Sequence, residues 1–172
     1  MVLSTSQFPL DQNKGQNPSL SQALSQADAL LRARRAPEVL RKCADILRQH
    51  PNALDAHFMT ARAHQMLQNA EKMLASVTNA LALVPNHPQA ILMEIEALIA
   101  LGRIPEARDK ISHLKDATKT DPHMLGRIAE MHTQMGDHDL AADTLRTAVT
   151  LQAKSGKPDP ALLYNLASAE IA

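Results

Sequence analysis

The chain has 172 residues, 45% of them hydrophobic, yet only Phe8, Phe58 and Tyr164 are aromatic and there is no Trp. Its 28 Ala and 24 Leu favour helix, and the shortage of aromatics speaks against a β-sandwich or barrel. Eighteen basic residues balance eighteen acidic ones, so no global field draws in nucleic acid or an anionic membrane. A lone Cys43 builds neither a disulfide framework nor a thiolate zinc site.

Residues 1–18 are polar, without periodicity, and read as a disordered leader. They have no basic start followed by an apolar core, so no secretory signal is expected and the cytoplasm is the expected compartment. From there a shift of 34 residues superimposes the chain on itself. Gln68 falls on Gly102 and Gly136, Met73 on Ala107 and Ala141, Val77 on Ile111 and Leu145, and Ala61 on Ile95 and Ala129. The predicted units are about 20–53, 54–87, 88–121 and 122–158, with a truncated unit at 159–172.

Each unit reads as two helices. In the first, Arg34-Arg35 replaces the glycine of the turn, so that turn is expected to rest on Pro37 alone. In the second, LDAHFMTARAHQML precedes a break at Gln68-Asn69, and AEKMLASVTNALALV follows. In the third, PQAILMEIEALIAL stops at Gly102-Arg103, and IPEARDKISHL begins with Pro105 in its first turn. Gly136 stops the first helix of the fourth unit, and Asp137 and Asp139 suit the start of its second. Pro51 and Pro85 close second helices. Four surplus residues fall within LQAKSGKPDP, which predicts a lengthened helix or a longer loop there. No apolar run approaches the roughly 20 residues of a membrane span.

With these columns in view, the chain resembles the tetratricopeptide repeat family over about residues 20–172. LLYNLASA (Leu162 to Ala169) matches the opening phrase of the repeat, and MGDHDLAADTLRTAV (Met135 to Val149) its turn and second helix. The sequence departs from the family pattern where His57, Ile91, Leu125, Val77 and Ile111 replace aromatics. The resemblance implies an all-α, right-handed superhelical solenoid of antiparallel helix pairs. Its small residues, Ala27, Ala61, Ala80, Ala107, Ala129, Ala141 and Ala148, would let helices approach closely while stacking builds one long core.

The resemblance also implies that first helices line a concave groove. The candidate groove residues are Leu24, Asp28, Phe58, Met59, Arg62, Gln65, Leu92, Met93, Glu96, Ile99, Arg127, Glu130 and Thr133. Phe58, Met59, Leu92 and Met93 are expected to form an apolar floor for a partner, unless the methionines pack between repeats. The subtype that clamps the carboxylate of chaperone tails is excluded, because Leu24, Asp28, Met59, Gln89 and Met93 stand where it needs cations and amides.

No catalytic, cofactor-binding or metal-binding residue is expected. His57 and His64 lie seven apart and His132 and His138 six apart, outside helical zinc spacing and without a third ligand. No phosphate loop, nucleophile elbow or HExxH is present. Charge does form a gradient: residues 20–51 carry six basic and three acidic side chains, and residues 120–153 two and five.

The expected function is a protein-interaction scaffold that binds a peptide, a helix or a neighbouring domain. The chain ends within a first helix, so it is expected to be the N-terminal part of a longer protein, with an uncapped last helix that dimerises or frays. Two further readings stand beside this one. DPALLYNLASAEIA is similar to repeats coupled to bacterial sulfotransferase domains, which would place the donor PAPS in a domain absent here. The other is a small secretion chaperone.

Overall fold

The computed structural model describes residues 19–154, 156 and 159–171, without the side chains of Asp116 and Ala117. The leader expected at residues 1–18 lies outside the described residues. The described chain is all-α: α1 Leu20–Arg32, α2 Ala36–Gln49, α3 Leu54–Met66, α4 Ala70–Leu83, α5 Pro88–Ala100, α6 Ile104–Thr118, α7 Pro122–Gln134, α8 His138–Lys154 and α9 Pro160–Ile171.

Helix starts follow local chemistry. Ser19 caps α1 by accepting from the Gln22 N–H at 3.3 Å, Asn69 caps α4 through Lys72 at 3.1 Å, and Asp121 caps α7 through His123 at 3.0 Å. Pro37, Pro88, Pro105 and Pro122 occupy first turns, where the missing N–H has no intrahelical partner to lose. The surplus of the fourth unit goes partly into α8, whose 17 residues exceed the 14 of α2 and α4.

The turn inside each unit is the same device four times. Arg34, Gln68, Gly102 and Gly136, 34 residues apart, all take left-handed backbone angles, with φ of 58°, 54°, 71° and 79°. At each, two hydrogen bonds reach back into the finished helix. Arg34 donates to the Leu31 carbonyl and Arg35 to that of Leu30, both at 3.0 Å; Gly102 and Arg103 repeat this onto Ile99 and Leu98 at 2.9 Å. The first turn therefore does not rest on Pro37 alone. Arg34 itself adopts the cap conformation, because satisfying two orphan carbonyls outweighs the cost of a left-handed side chain.

Packing interlocks the units. One core joins Ala23, Ala27 and Leu31 of α1 to Val39, Cys43 and Ile46 of α2 and to Ala56 and Ala63 of α3. The next joins Ala61 of α3 to Met73 and Val77 of α4 and to Ala90, Met93 and Ala97 of α5. The pattern repeats for α5, α6 and α7, and for α7, α8 and α9. Each helix pair thus buries its apolar face only with the first helix of the following unit. Ala27, Ala61, Ala80, Ala107, Ala141 and Ala148 are fully buried, so the small columns mark crossing points. Gly126 marks another: a Cβ there would stand 2.9 Å from the Leu162 methyl of α9.

Neighbour relations set the curvature. Besides its chain neighbours, α1 packs on α3, α3 on α5 and α5 on α7, while no comparable contact joins α2 to α4, α4 to α6 or α6 to α8. First helices are drawn together and second helices are splayed, so the first helices form the inner wall.

Strain at the turns is open to direct test. A Cβ at Gly102 or Gly136 would meet nothing within 4 Å, so only backbone conformation opposes a side chain there. Gly102→Ala is expected to lower urea unfolding stability by about 1 kcal/mol, and Gln68→Gly to raise it by about 0.5 kcal/mol. Equal midpoints for all three proteins would show that the turns carry no strain.

Candidate functional site

The inner wall is crossed by a polar ladder. The Gln65 amide on α3 donates to Glu96 on α5 at 2.8 Å. Arg127 on α7 donates to the other Glu96 oxygen, and its Nε stands 3.1 Å from the Glu130 carboxylate. The Glu96 side chain is 13% exposed and the Arg127 side chain 35%, so this pair is more shielded than the exposed pairs within single helices, such as Arg48 with Asp45. Side chains 31 residues apart meet because neighbouring first helices lie almost in register, with a one-turn offset.

Three depressions follow the wall. One of about 250 Å³ is lined by Leu31, Arg34, Arg62, Gln65 and Met66. A second, about 530 Å³, holds Gln65, Gln68, Asn69, Glu96, Arg127 and Gln134. A third, about 350 Å³, holds Glu130, Thr133, Gln134, Asn165 and Ser168 between α7 and α9. Gln65 belongs to the first two and Gln134 to the last two, so the depressions adjoin one another along the wall.

The sequence-derived groove residues separate into two sets. Arg62, Gln65, Glu96, Arg127, Glu130 and Thr133 line the groove. Asp28 pairs with Arg32 at 2.7 Å on α1. The apolar members pack inward instead. Leu92 and Met93 are 1% and 2% exposed, Leu24 and Met59 lie against the first core, and Ile99 lies against the core of α5, α6 and α7. Phe58 packs on the second core, with its ring 4.9 Å from that of His87. The expected apolar floor is therefore absent, since burying these side chains between units removes more apolar surface from water than a groove would. Arg34, Gln68, Asn69 and Gln134 were missed. The signal for Arg34 and Gln68 was their place in the turn column, where a side chain on a left-handed residue points along the inner wall.

Two histidines are held below their ordinary pKa. Burial, then the nearby Lys115, does so for His132, whose Nδ1 lies 4.0 Å from the Asp137 carboxylate. Burial, then Lys72, does so for His64. Asp137 takes a double hydrogen bond from Arg108 at 2.6 and 3.0 Å, which holds its carboxyl below the usual range. Burial pushes the Cys43 thiol up. Among the described residues no group of three His, Cys, Asp or Glu converges, and no helix is long and apolar enough to cross a membrane.

Stacked helix pairs, a 34-residue turn column and an inner wall of first helices define the tetratricopeptide-type solenoid fold. Solved structures carry the same fold at low identity. TTC0263, a thermophilic TPR protein of Thermus thermophilus, is 19% identical with a TM-score of 0.77, over 91% of this chain and 84% of that one. MamA from Desulfovibrio magneticus RS-1 is 15% identical with a TM-score of 0.68, over 88% and 84%. Cut9, from the APC/C hetero-tetramer Cut9–Hcn1, is 18% identical with a TM-score of 0.72, over 87% of this chain and 29% of that one. No family model matches the sequence, and no curated protein matches it.

The histidines predict a pH profile. Neutral His132 and His64 are favoured by the fold, whereas the unfolded chain takes up protons near pH 6.5. Stability is therefore full above about pH 7 and falls as the pH drops below 6.5. The Asp137 contribution has the opposite origin and is lost only below its unfolded value of 3.8. Thermal melts between pH 7.5 and 5 should show a falling midpoint, with a shallower slope in His132→Gln; the same slope in both would remove His132 from the account.

Proposed function

We propose that this chain is a protein-interaction scaffold whose concave groove holds an extended segment of a partner. The observation that carries this reading is the run of adjoining depressions from Arg34 to Ser168, bridged by the Gln65–Glu96–Arg127 ladder. A Gln or Asn side chain offers one acceptor and two donors, the complement of a peptide group. Gln68 and Gln134, with the hydrogen-bonding capacity that Gln65 keeps beside Glu96 and Asn69 beside Lys72, therefore suit the main chain of an extended peptide, which binds through its backbone as a strand does at a sheet edge. No group in the groove is arranged as a nucleophile with an adjacent base, so binding and positioning are what its chemistry supports. In a longer chain bearing a sulfotransferase domain, the same groove would hold the segment that presents the substrate, and PAPS would belong to that other domain.

Peptides selected from a random display library on the immobilised protein test this. Binding should weaken about tenfold in the Gln65→Ala, Gln134→Ala double variant, about 1.4 kcal/mol for two neutral hydrogen bonds. It should be unchanged in Arg41→Ala on the outer helix α2. Selected peptides indifferent to the double variant would sink the groove reading.

A second contact surface is favoured by α9, where Leu163, Tyr164 and Ile171 are 45%, 73% and 87% exposed. Tyr164 and Ile171 share one face, two turns apart, opposite the buried Leu162 and Ala169, with Leu163 on its flank. We propose that this face pairs two copies of the chain. Light scattering across a dilution series should then give a dimer that Leu163→Glu with Tyr164→Glu converts to monomer; a wild-type monomer throughout would refute it.

A further inference from the structure

The groove carries an uneven charge. Seven of the ten arginines stand within ion-pair distance of a carboxylate, namely Arg32, Arg35, Arg48, Arg103, Arg108, Arg127 and Arg146. Among the described residues Arg34, Arg41 and Arg62 have no such partner. Arg41 is on outer helix α2, whereas Arg34 and Arg62 line the same depression, together with Gln65 and the apolar side chains of Leu31 and Met66. Both are exposed, and the acids nearest Arg34 in sequence, Glu38 and Asp28, are engaged by Arg35 at 2.5 Å and by Arg32 at 2.7 Å. At the far end the balance has the other sign, one arginine being shared by two carboxylates. Arg127 already serves the shielded Glu96, and the Glu130 carboxylate beside it is half exposed.

Arg34 adds a second observation. It occupies the left-handed turn position that Gly102 and Gly136 fill without strain, and it places a guanidinium on the groove wall where glycine would place nothing. It lies in the turn after α1, and Arg62 near the end of α3, so the pair is separate from the positions at which a chaperone-tail clamp would need its cations.

We propose that the depression between Arg34 and Arg62 is an anion subsite for an acidic side chain of the bound peptide. This rests on the groove reading and deepens it by naming the partner's chemistry and direction. Two planar guanidinium forks match the oxygens of a carboxylate, and the Leu31 and Met66 side chains in the same lining limit the water that competes for those bonds. The peptide then lies with its acid over α1 and α3. Its neutral main chain runs across the amides toward α7, where Glu130 repels a second acid.

The test uses the full chain and the same random peptide library. Selected peptides that depend on Gln65 and Gln134 should be enriched in Asp or Glu at one position, and their affinity should fall as ionic strength rises. Arg34→Gly removes the side chain while relieving the left-handed backbone, so its effect is not one of unfolding, and Arg62→Gln keeps the stem without the charge. Each should weaken binding about fivefold. Arg34→Glu with Arg62→Glu should turn the selected residue to Lys or Arg. Groove-dependent peptides without acidic enrichment, or with unchanged affinity for Arg34→Gly and Arg62→Gln, would overturn the subsite and leave the groove reading standing. Peptides that ignore Gln65 and Gln134 altogether would overturn both.

Discussion

No helix pair in this protein has a core of its own. Ala56 and Ala63 of α3 complete the core of α1 and α2, Ala90 and Met93 of α5 complete that of α3 and α4, and Ile128 of α7 completes that of α5 and α6. Everything else depends on this sharing. It draws the first helices together into an inner wall, and it demands Ala or Gly where backbones cross, as at Ala61, Ala129 and Gly126. It also takes the larger aliphatics of the first helices into the joints between units. What remains for the inner wall is a mixture of polar side chains with small apolar ones such as Ala129 and Ala169.

That wall is organised by charge. Glu96 is shielded and would be costly alone, but Gln65 and Arg127 from its two neighbouring helices satisfy it. The ladder ties three units together across the groove. Cations left unpaired at one end and a half-exposed carboxylate at the other give the groove a direction. The gradient of basic and acidic residues along the sequence has the same sense, so a property of the whole array is concentrated where a bound chain would feel it.

Particular residues mark how far the sequence could be read. Gly102 and Gly136 announce their turns because glycine alone takes a left-handed backbone without cost. Arg34 and Gln68 do the same work without announcing it: their conformation comes from two backbone hydrogen bonds that any residue can make, so only their place in the 34-residue column reveals them. Arg62, Gln65, Glu96 and Arg127 were named as groove residues because the family resemblance places first helices on the inner wall, and they stand at matching steps along those helices. Leu92 and Met93 were not legible as core, because spacing places them on the same helix face as Glu96 and cannot rotate that face by the fraction of a turn that separates a joint from a groove.

Element type, element order and the repeat length follow from the sequence, because caps, first-turn prolines, turn glycines and apolar periodicity act over a few residues and need no partner. The groove required the assembled fold. Which side of each first helix is buried depends on how closely its neighbours approach, and that is set by small residues more than twenty positions away, such as Ala61 against Ala90. Arg34 and Arg62 become neighbours for the same reason: the joint between α1 and α3 brings together two charges that the chain holds 28 residues apart.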